Sequence, residues 1–168
     1  EMAKKTGIAA VGVTNSSHFG PAGAYTLYAA KKNMIALAFC NSDSFVRLYD
    51  GAERFHGTNP ISMAVPTGGS NPWLFDMATS SVPFNRVELY RSLNQKLPSD
   101  VASDVSGNST EDPHIAEMLD PLGAKFGFKG AGLGGISEIL SAVLTGMKLS
   151  PELLPMSGPD MTTPRELG

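Results

Sequence analysis

Two hydrophobic patterns alternate along the first forty residues. Ile8-Ala-Ala-Val-Gly-Val-Thr14 and Met34-Ile-Ala-Leu-Ala-Phe-Cys40 are short, nearly continuous apolar runs, the pattern of buried strands. Between them, Pro21 to Asn33 carries helix formers, with Ala22, Tyr25, Ala29 and Lys32 at helical spacing. Ser16 or Ser17 is available as N-cap and Asn33 as a stop. Strand, helix and strand in that order predict one right-handed βαβ unit. Upstream, Glu1-Met-Ala-Lys-Lys-Thr-Gly7 reads as the last turns of a helix closed by a glycine.

The pattern then changes. Ile61-Ser-Met-Ala-Val-Pro66 and Trp73-Leu-Phe-Asp-Met-Ala78 flank Thr-Gly-Gly-Ser-Asn-Pro, and two strands around such a turn predict a hairpin. Pro66 has no N–H to give a ladder, so it ends its strand or places it at an edge. Val87 to Leu93 predicts a helix, and residues 97–113 a polar loop. Ile136, Ile139, Leu140, Val143 and Leu144 fall on one apolar helical face. The expected class is mixed α/β, with a mixed, partly antiparallel sheet flanked by helices. Four prolines (Pro151, Pro155, Pro159, Pro164) mark residues 151–168 as a Pro-rich tail behind a core spanning 1–150. Both ends read as cut from a longer protein.

Composition narrows the function classes. The chain has 168 residues, 42% of them hydrophobic, enough for one domain with a real core. A net charge of −3 with basic residues only in doublets, Lys4-Lys5 and Lys31-Lys32, argues against a nucleic-acid partner. No apolar run reaches ~18 residues, so no membrane span is expected. The single cysteine, Cys40, lies in an apolar run and fits a buried small hydrophobe in a reducing, cytoplasmic setting.

Three histidines are candidates for chemistry. His18, in Thr-Asn-Ser-Ser-His-Phe-Gly-Pro-Ala-Gly, is either a helix-entry residue bonded to backbone or a proton-transfer group at a strand end. Free imidazole titrates near ~6.5 and moves protons both ways at neutral pH. His56, before a turn, could cap or touch a ligand, and His114 is expected to be exposed. Their separation gives no metal-ligand spacing, so no metal is expected. Gly130-Ala-Gly-Leu-Gly-Gly135 matches G-x-G-x-x-G by letter. The preceding Ala124-Lys-Phe-Gly-Phe-Lys129 is broken by a glycine and the helix runs into a proline-rich tail, so the glycines read as helix packing rather than a dinucleotide loop. Lys129, just before them, could hold a phosphate or carboxylate near a helix N-terminus. No G-x-S-x-G elbow supports a serine hydrolase.

Taken in order, five short motifs resemble one family. They are N-S-S-H-F-G at 15–20, C-N-S-D at 40–43, G-T-N-P at 57–60, F-D-M-A-T at 75–79 and K-G-x-G-L at 129–133. They are similar to those of the type-2 malate/L-lactate dehydrogenases, with ureidoglycolate dehydrogenase, sulfolactate dehydrogenase and Δ1-piperideine-2-carboxylate reductase among the members. The resemblance implies a non-Rossmann nicotinamide-binding domain using NAD or NADP, in a homodimer. It implies proton transfer by His18 and cofactor contacts from Ser42, Asp76, Met77, Ala78 and Lys129. The implied substrate is a small 2-hydroxy or 2-oxo acid, or a cyclic imino acid. A non-catalytic nucleotide-binding module is the alternative from another class.

Overall fold

The computed structural model describes residues 1–155 and 165–168, so Pro159 and Pro164 of the Pro-rich segment lie outside the described residues. In chain order the elements are α1 (Met2–Thr6), α2 (Ala22–Ala30), β1 (Ala36–Phe39), β2 (Val46–Arg47), β3 (Arg54–His56), β4 (Ile61–Val65) and β5 (Trp73–Met77). There follow α3 (Phe84–Ser92), β6 (Ala102–Ser103), β7 (Met118–Leu119) and α4 (Phe128–Glu138), which runs into one π turn at Ile139–Val143. The class is mixed α/β, as the patterns predict, but the strands form two sheets.

The first sheet has the order β1-β4-β5 and is antiparallel throughout. The hairpin forms as expected, with Val65 facing Trp73 across the turn and Pro66 just past the strand end. Helix α2 lies on one face through small residues, Ala22, Gly23, Thr26 and Ala30, and Thr26 Oγ1 bonds Ser62 Oγ at 2.7 Å. Small side chains let the helix axis come close to the sheet, which is why an amphipathic stripe of large residues is not needed there. On the other face Leu37, Trp73 and Phe75 remain exposed, with the Trp73 and Phe75 rings stacked at 6.2 Å.

Two expectations fail here. Residues 8–14 form no strand, and Ile8, Val11 and Val13 are 82%, 71% and 58% exposed. An apolar β-branched run becomes a strand only beside an edge that takes its backbone groups. Without that strand there is no βαβ unit, and β1 pairs antiparallel with β4 instead. Nor does Ser16 or Ser17 cap α2. Its N-cap is Pro21, and the Gly23 N–H is taken by Asp76 Oδ2, 2.7 Å away on β5. Asn33 does end the helix region, in left-handed conformation at φ 58°.

The second sheet, β3-β2-β7-β6, supplies the mixed character, because β2 and β7 run parallel and the other pairs antiparallel. Its strands β6 and β7 are two residues long, and β6 lies inside the stretch read as a polar loop. That expectation is corrected by Leu97, Val101 and Ala102, which join Val46, Val87, Ala116 and Leu119 in the main core. At the sheet end Arg47 Nε reaches Asp120 Oδ1 at 2.6 Å, and Ser103 Oγ donates to the same oxygen at 2.5 Å. A guanidinium–carboxylate pair of this kind is half of a buried charge and half of a hydrogen-bond network, and both partners are satisfied.

Helix α4 inverts the expected polarity. Its apolar residues Ile136, Ile139, Leu140, Val143 and Leu144 are exposed, whereas Gly130, Gly134, Ser137, Glu138, Ser141 and Ala142 are buried. The glycine run is therefore inside the helix, not in a loop before it. A Cβ on Gly130 would collide with the Leu122 backbone, and one on Gly134 would come 3.2 Å from Thr79 Oγ1. The letter match to a dinucleotide loop reflects close packing of a helix on its neighbours. Gly7 closes α1 at φ 84°, as expected, with its N–H on Ala3 O.

Candidate functional site

A cavity of about 470 Å³ opens between the 18–20 segment, the 40–45 segment, the 58–60 turn and the start of α3. Its size is that of a small-ligand site. Phe19, Phe45, Phe84, Pro60 and Pro83 make most of it apolar, and the polar groups include His18, Asn41, Ser42 and Thr58.

His18 stands on irregular backbone and is exposed, not at a strand end. Its Nδ1 accepts the Gly20 N–H at 3.0 Å, so the neutral ring carries its proton on Nε2. Both open readings of this residue thus meet in one geometry: a backbone-bonded entry to α2, and an imidazole on a cavity. The segment is anchored by its neighbour. Phe19 stacks on Tyr25 at 5.2 Å, accepts the Tyr25 hydroxyl on its carbonyl at 2.9 Å, and packs with Cys40, Leu153 and Leu167.

Ser42 lines the same cavity. Its Oγ accepts the Thr58 N–H at 3.1 Å, which leaves the hydroxyl proton free to be donated. Its own N–H is held by Asn59 Oδ1 at 3.2 Å, and Asn59 is held in left-handed conformation at φ 35°. Gly57 is required beside them, since a Cβ there would overlap Ser42 and Asn59.

The remaining sequence candidates stand elsewhere. Asp76, Met77, Ala78 and Lys129 do not line the cavity. The Asp76 carboxylate is spent on the α2 N-terminus, where negative charge is favoured by the helix dipole. Ala78 leads into Thr79, whose N–H bonds Thr58 O at 2.9 Å, so residues 76–78 adjoin the cavity rim through one hydrogen bond. Strand β5 is a sheet edge, with no third strand on its outer side among the described residues. Lys129 is the second residue of α4, exposed, with Nζ 5.2 Å from the Phe126 ring centroid. A cation in the first turn opposes the helix dipole, and an anion bound there would relieve it.

Behind the rim lies a polar group that sequence reading missed. Glu138, on the inner face of α4, accepts from Asn59 Nδ2, Ser150 N and Ser150 Oγ, each at 2.6 Å. Burial pushes its pKa up, but the neighbouring His56 ring and the hydrogen bonds from Ser150 and Asn59 outweigh burial and hold it below the ordinary value of 4.5. His56 is buried, and its Nδ1 lies 3.6 Å from Glu138 Oε2, an electrostatic contact beyond hydrogen-bond length. Cys40 is pushed up to about 12 by burial and by the Glu138 charge, so its thiol stays protonated and unreactive. A spacing of four through Gly130, Gly134, Glu138 and Ala142 was the available signal for a buried carboxylate among small residues. His114 is exposed and touches Asn94 Oδ1 at 3.4 Å.

A mixed two-sheet α/β domain with an imidazole and a hydroxyl on one apolar cavity is not the doubly wound parallel sheet of a Rossmann fold. The family model for malate/L-lactate dehydrogenase matches residues 1–168, and the chain belongs to that family. It is 43% identical over 153 residues to a malate dehydrogenase of Pyrococcus abyssi, covering 87% of this chain and 42% of that protein. It is 34% identical over 168 residues to a ureidoglycolate dehydrogenase (NAD(+)) of Escherichia coli O157:H7, covering 100% and 47%. A solved delta1-piperideine-2-carboxylate reductase from Pseudomonas syringae superposes with a TM-score of 0.87 at 29% identity, over 98% of this chain and 50% of that one. The chain thus spans about half the length of the relatives it matches. No helix among the described residues is long and apolar enough to cross a membrane.

Proposed function

We propose that this chain supplies the nicotinamide site and the proton-transfer histidine of an oxidoreductase. Its substrate would be a small 2-hydroxy or 2-oxo acid, or a cyclic imino acid, with NAD or NADP as cofactor. The observation that carries the reading is that His18 and Ser42 share one apolar cavity of about 470 Å³. Relatives named as dehydrogenases and as a C=N reductase support both substrate classes.

The bound cofactor supplies or accepts the hydride. Ser42, with its lone pair already on the Thr58 N–H, donates its proton to a ribose or carboxamide oxygen. The outer edge of β5 at Asp76, Met77 and Ala78 offers backbone groups to a carboxamide, and Lys129 offers charge to a phosphate. His18 holds or delivers the proton at the substrate oxygen or nitrogen. Protonating its Nδ1 turns that atom into a donor, so proton transfer is coupled to release of the Gly20 N–H.

The test mixes the protein with NADH or NADPH and a panel of 2-oxo acids and cyclic imines and follows nicotinamide absorbance. Consumption is expected. His18→Ala should lower turnover by roughly 10²–10⁴-fold with cofactor affinity unchanged, and undiminished turnover would remove His18 from the mechanism. Lys129→Ala should instead weaken cofactor binding by about tenfold, the worth of one charge-assisted bond.

A second reading is favoured by one observation: among the described residues, no Lys or Arg side chain lines the cavity to receive a substrate carboxylate. On that reading the chain is a nucleotide-binding module, and NADH binds without being consumed. For the whole protein we propose a cytoplasmic homodimer, with residues 1–150 as the cofactor-binding core. The uncovered Leu37, Trp73 and Phe75 support the dimer, which light scattering tests.

A further inference from the structure

Three segments of the chain, around Asn41, His56–Asn59 and Ser150, meet at Glu138, which is 6% exposed. Asn59 comes from the turn before β4, Ser150 from a short 3₁₀ turn after α4, His56 from β3, and Asn41 from the end of β1. Asn41 Nδ2 sits 3.5 Å from Glu138 Oε1 and bonds Lys148 O at 2.9 Å, while Asn41 Oδ1 takes the Gly168 N–H at 3.1 Å. Asn59 is the relay. Its Nδ2 donates to Glu138 Oε2 at 2.6 Å and to Gly134 O at 3.1 Å, and its Oδ1 receives the Ser42 N–H. Both orientations of that amide are therefore used, one on the helix and one on the cavity.

We propose that Glu138 is a positioning residue for the cavity: through Asn59 it fixes the Ser42 backbone and so the direction in which Ser42 presents its hydroxyl. The proposal rests on the reading of the cavity as a ligand site. The chemistry requires a carboxylate in particular. Asn59, Ser150 and Asn41 each present an N–H or O–H to Glu138, and an acceptor-only group satisfies all of them. A glutamine has the same shape, but its NH₂ must face at least one of these donors, which turns Asn59 or displaces Ser150. His56 fits the same logic. Its ring is 7% exposed, and its Nδ1, without a hydrogen-bond partner among the described residues, faces the carboxylate at 3.6 Å. It is a polar neighbour of the anion where an aliphatic side chain would give no electrostatic support.

A merely structural carboxylate and a positioning one differ in coupling. NADH affinity should be measured for the wild type, Ser42→Ala, Glu138→Gln and the double variant. Loss of one hydrogen bond in Ser42→Ala should raise the NADH Kd about five- to tenfold. If Glu138 acts through Ser42, Glu138→Gln raises it to a similar degree and the double variant is no worse than the weaker single. Multiplication of the two effects would overturn the proposal. Amide NMR supplies a readout that needs no ligand. Glu138→Gln should displace the Ser42 and Thr58 resonances and leave those of the β4–β5 hairpin turn in place, and an unmoved Ser42 amide would equally refute the role. Should Glu138→Gln fail to fold, Ser150→Ala removes one donor at a residue off the cavity and should shift the Ser42 amide in a smaller step. Should wild type bind no NADH, the cavity reading fails, while the Ser42 amide shift still decides the positioning claim.

Discussion

His18 and His56 stand on opposite sides of one wall. His18 is exposed, rides on irregular backbone and has a single backbone contact at 3.0 Å. His56 is buried in strand β3, edge-on to Phe55 at 4.9 Å, and faces an anion. Between them lie Ser42, Asn59 and Glu138, a chain of hydrogen bonds running from cavity to helix. The difference shows how labour is divided in this domain. On the proposed role of His18, a group that exchanges protons needs access and freedom to change its bonding, which its exposed place on irregular backbone supplies. The groups that aim its neighbours need fixed geometry, which burial and a saturated carboxylate provide.

That comparison can be broken first at the buried side. Glu138→Leu leaves Ser150 N, Ser150 Oγ and one of the two Asn59 Nδ2 hydrogens without an acceptor, and should cost about 3–5 kcal/mol in chemical denaturation, from roughly 1–3 per orphaned group with partial relaxation. A loss below ~1 kcal/mol would class Glu138 with surface residues. The same group sets an acid limit. Its folded pKa is depressed below the ordinary 4.5, so its contribution is complete above that pH and fades as pH falls through the folded value. The Tm of the wild type should therefore fall more steeply than that of Glu138→Gln as pH drops below 4.5.

The next largest effect belongs to the helix that carries Glu138. Gly130→Ala forces a Cβ against the Leu122 backbone, which cannot rotate away, and should cost about 1–3 kcal/mol. A neutral result would mean the helix can slide, and Glu138 with it. Asp76→Ala removes the acceptor for the Gly23 N–H and should cost about 0.5–2 kcal/mol, with Asp76→Asn recovering part. The smallest effect is expected at the exposed side: His18→Ala should change stability by no more than about 0.5 kcal/mol. A larger loss would make His18 a structural residue and erase the contrast.

Legibility followed element length. Trp73-Leu-Phe-Asp-Met77 and its partner strand were readable because five residues on each side of a Gly-Gly-Ser-Asn turn carry a period and a stop. Ala102–Ser103 and Met118–Leu119 were not, since two residues carry no period and their burial comes from neighbours distant in sequence. Ile8–Thr14 shows the converse error. Its composition suits a strand, but strand formation depends on a free edge, and composition says nothing about edges. The glycines at 130–135 read correctly as packing residues, because the segment before them is broken by a glycine where a phosphate loop needs a strand.

From the sequence alone come the mixed α/β class, the hairpin, α2 and the motifs that resemble the family, all of which rest on local pattern or on short ordered signatures. Tertiary structure alone decided that His18 and Ser42 share a cavity, that Asp76 holds a helix, and that a carboxylate among small residues lies under the rim. The reason is physical: each of these depends on hydrogen bonds and contacts between residues far apart in the chain, whose geometry exists only once two sheets and α4 have packed against one another.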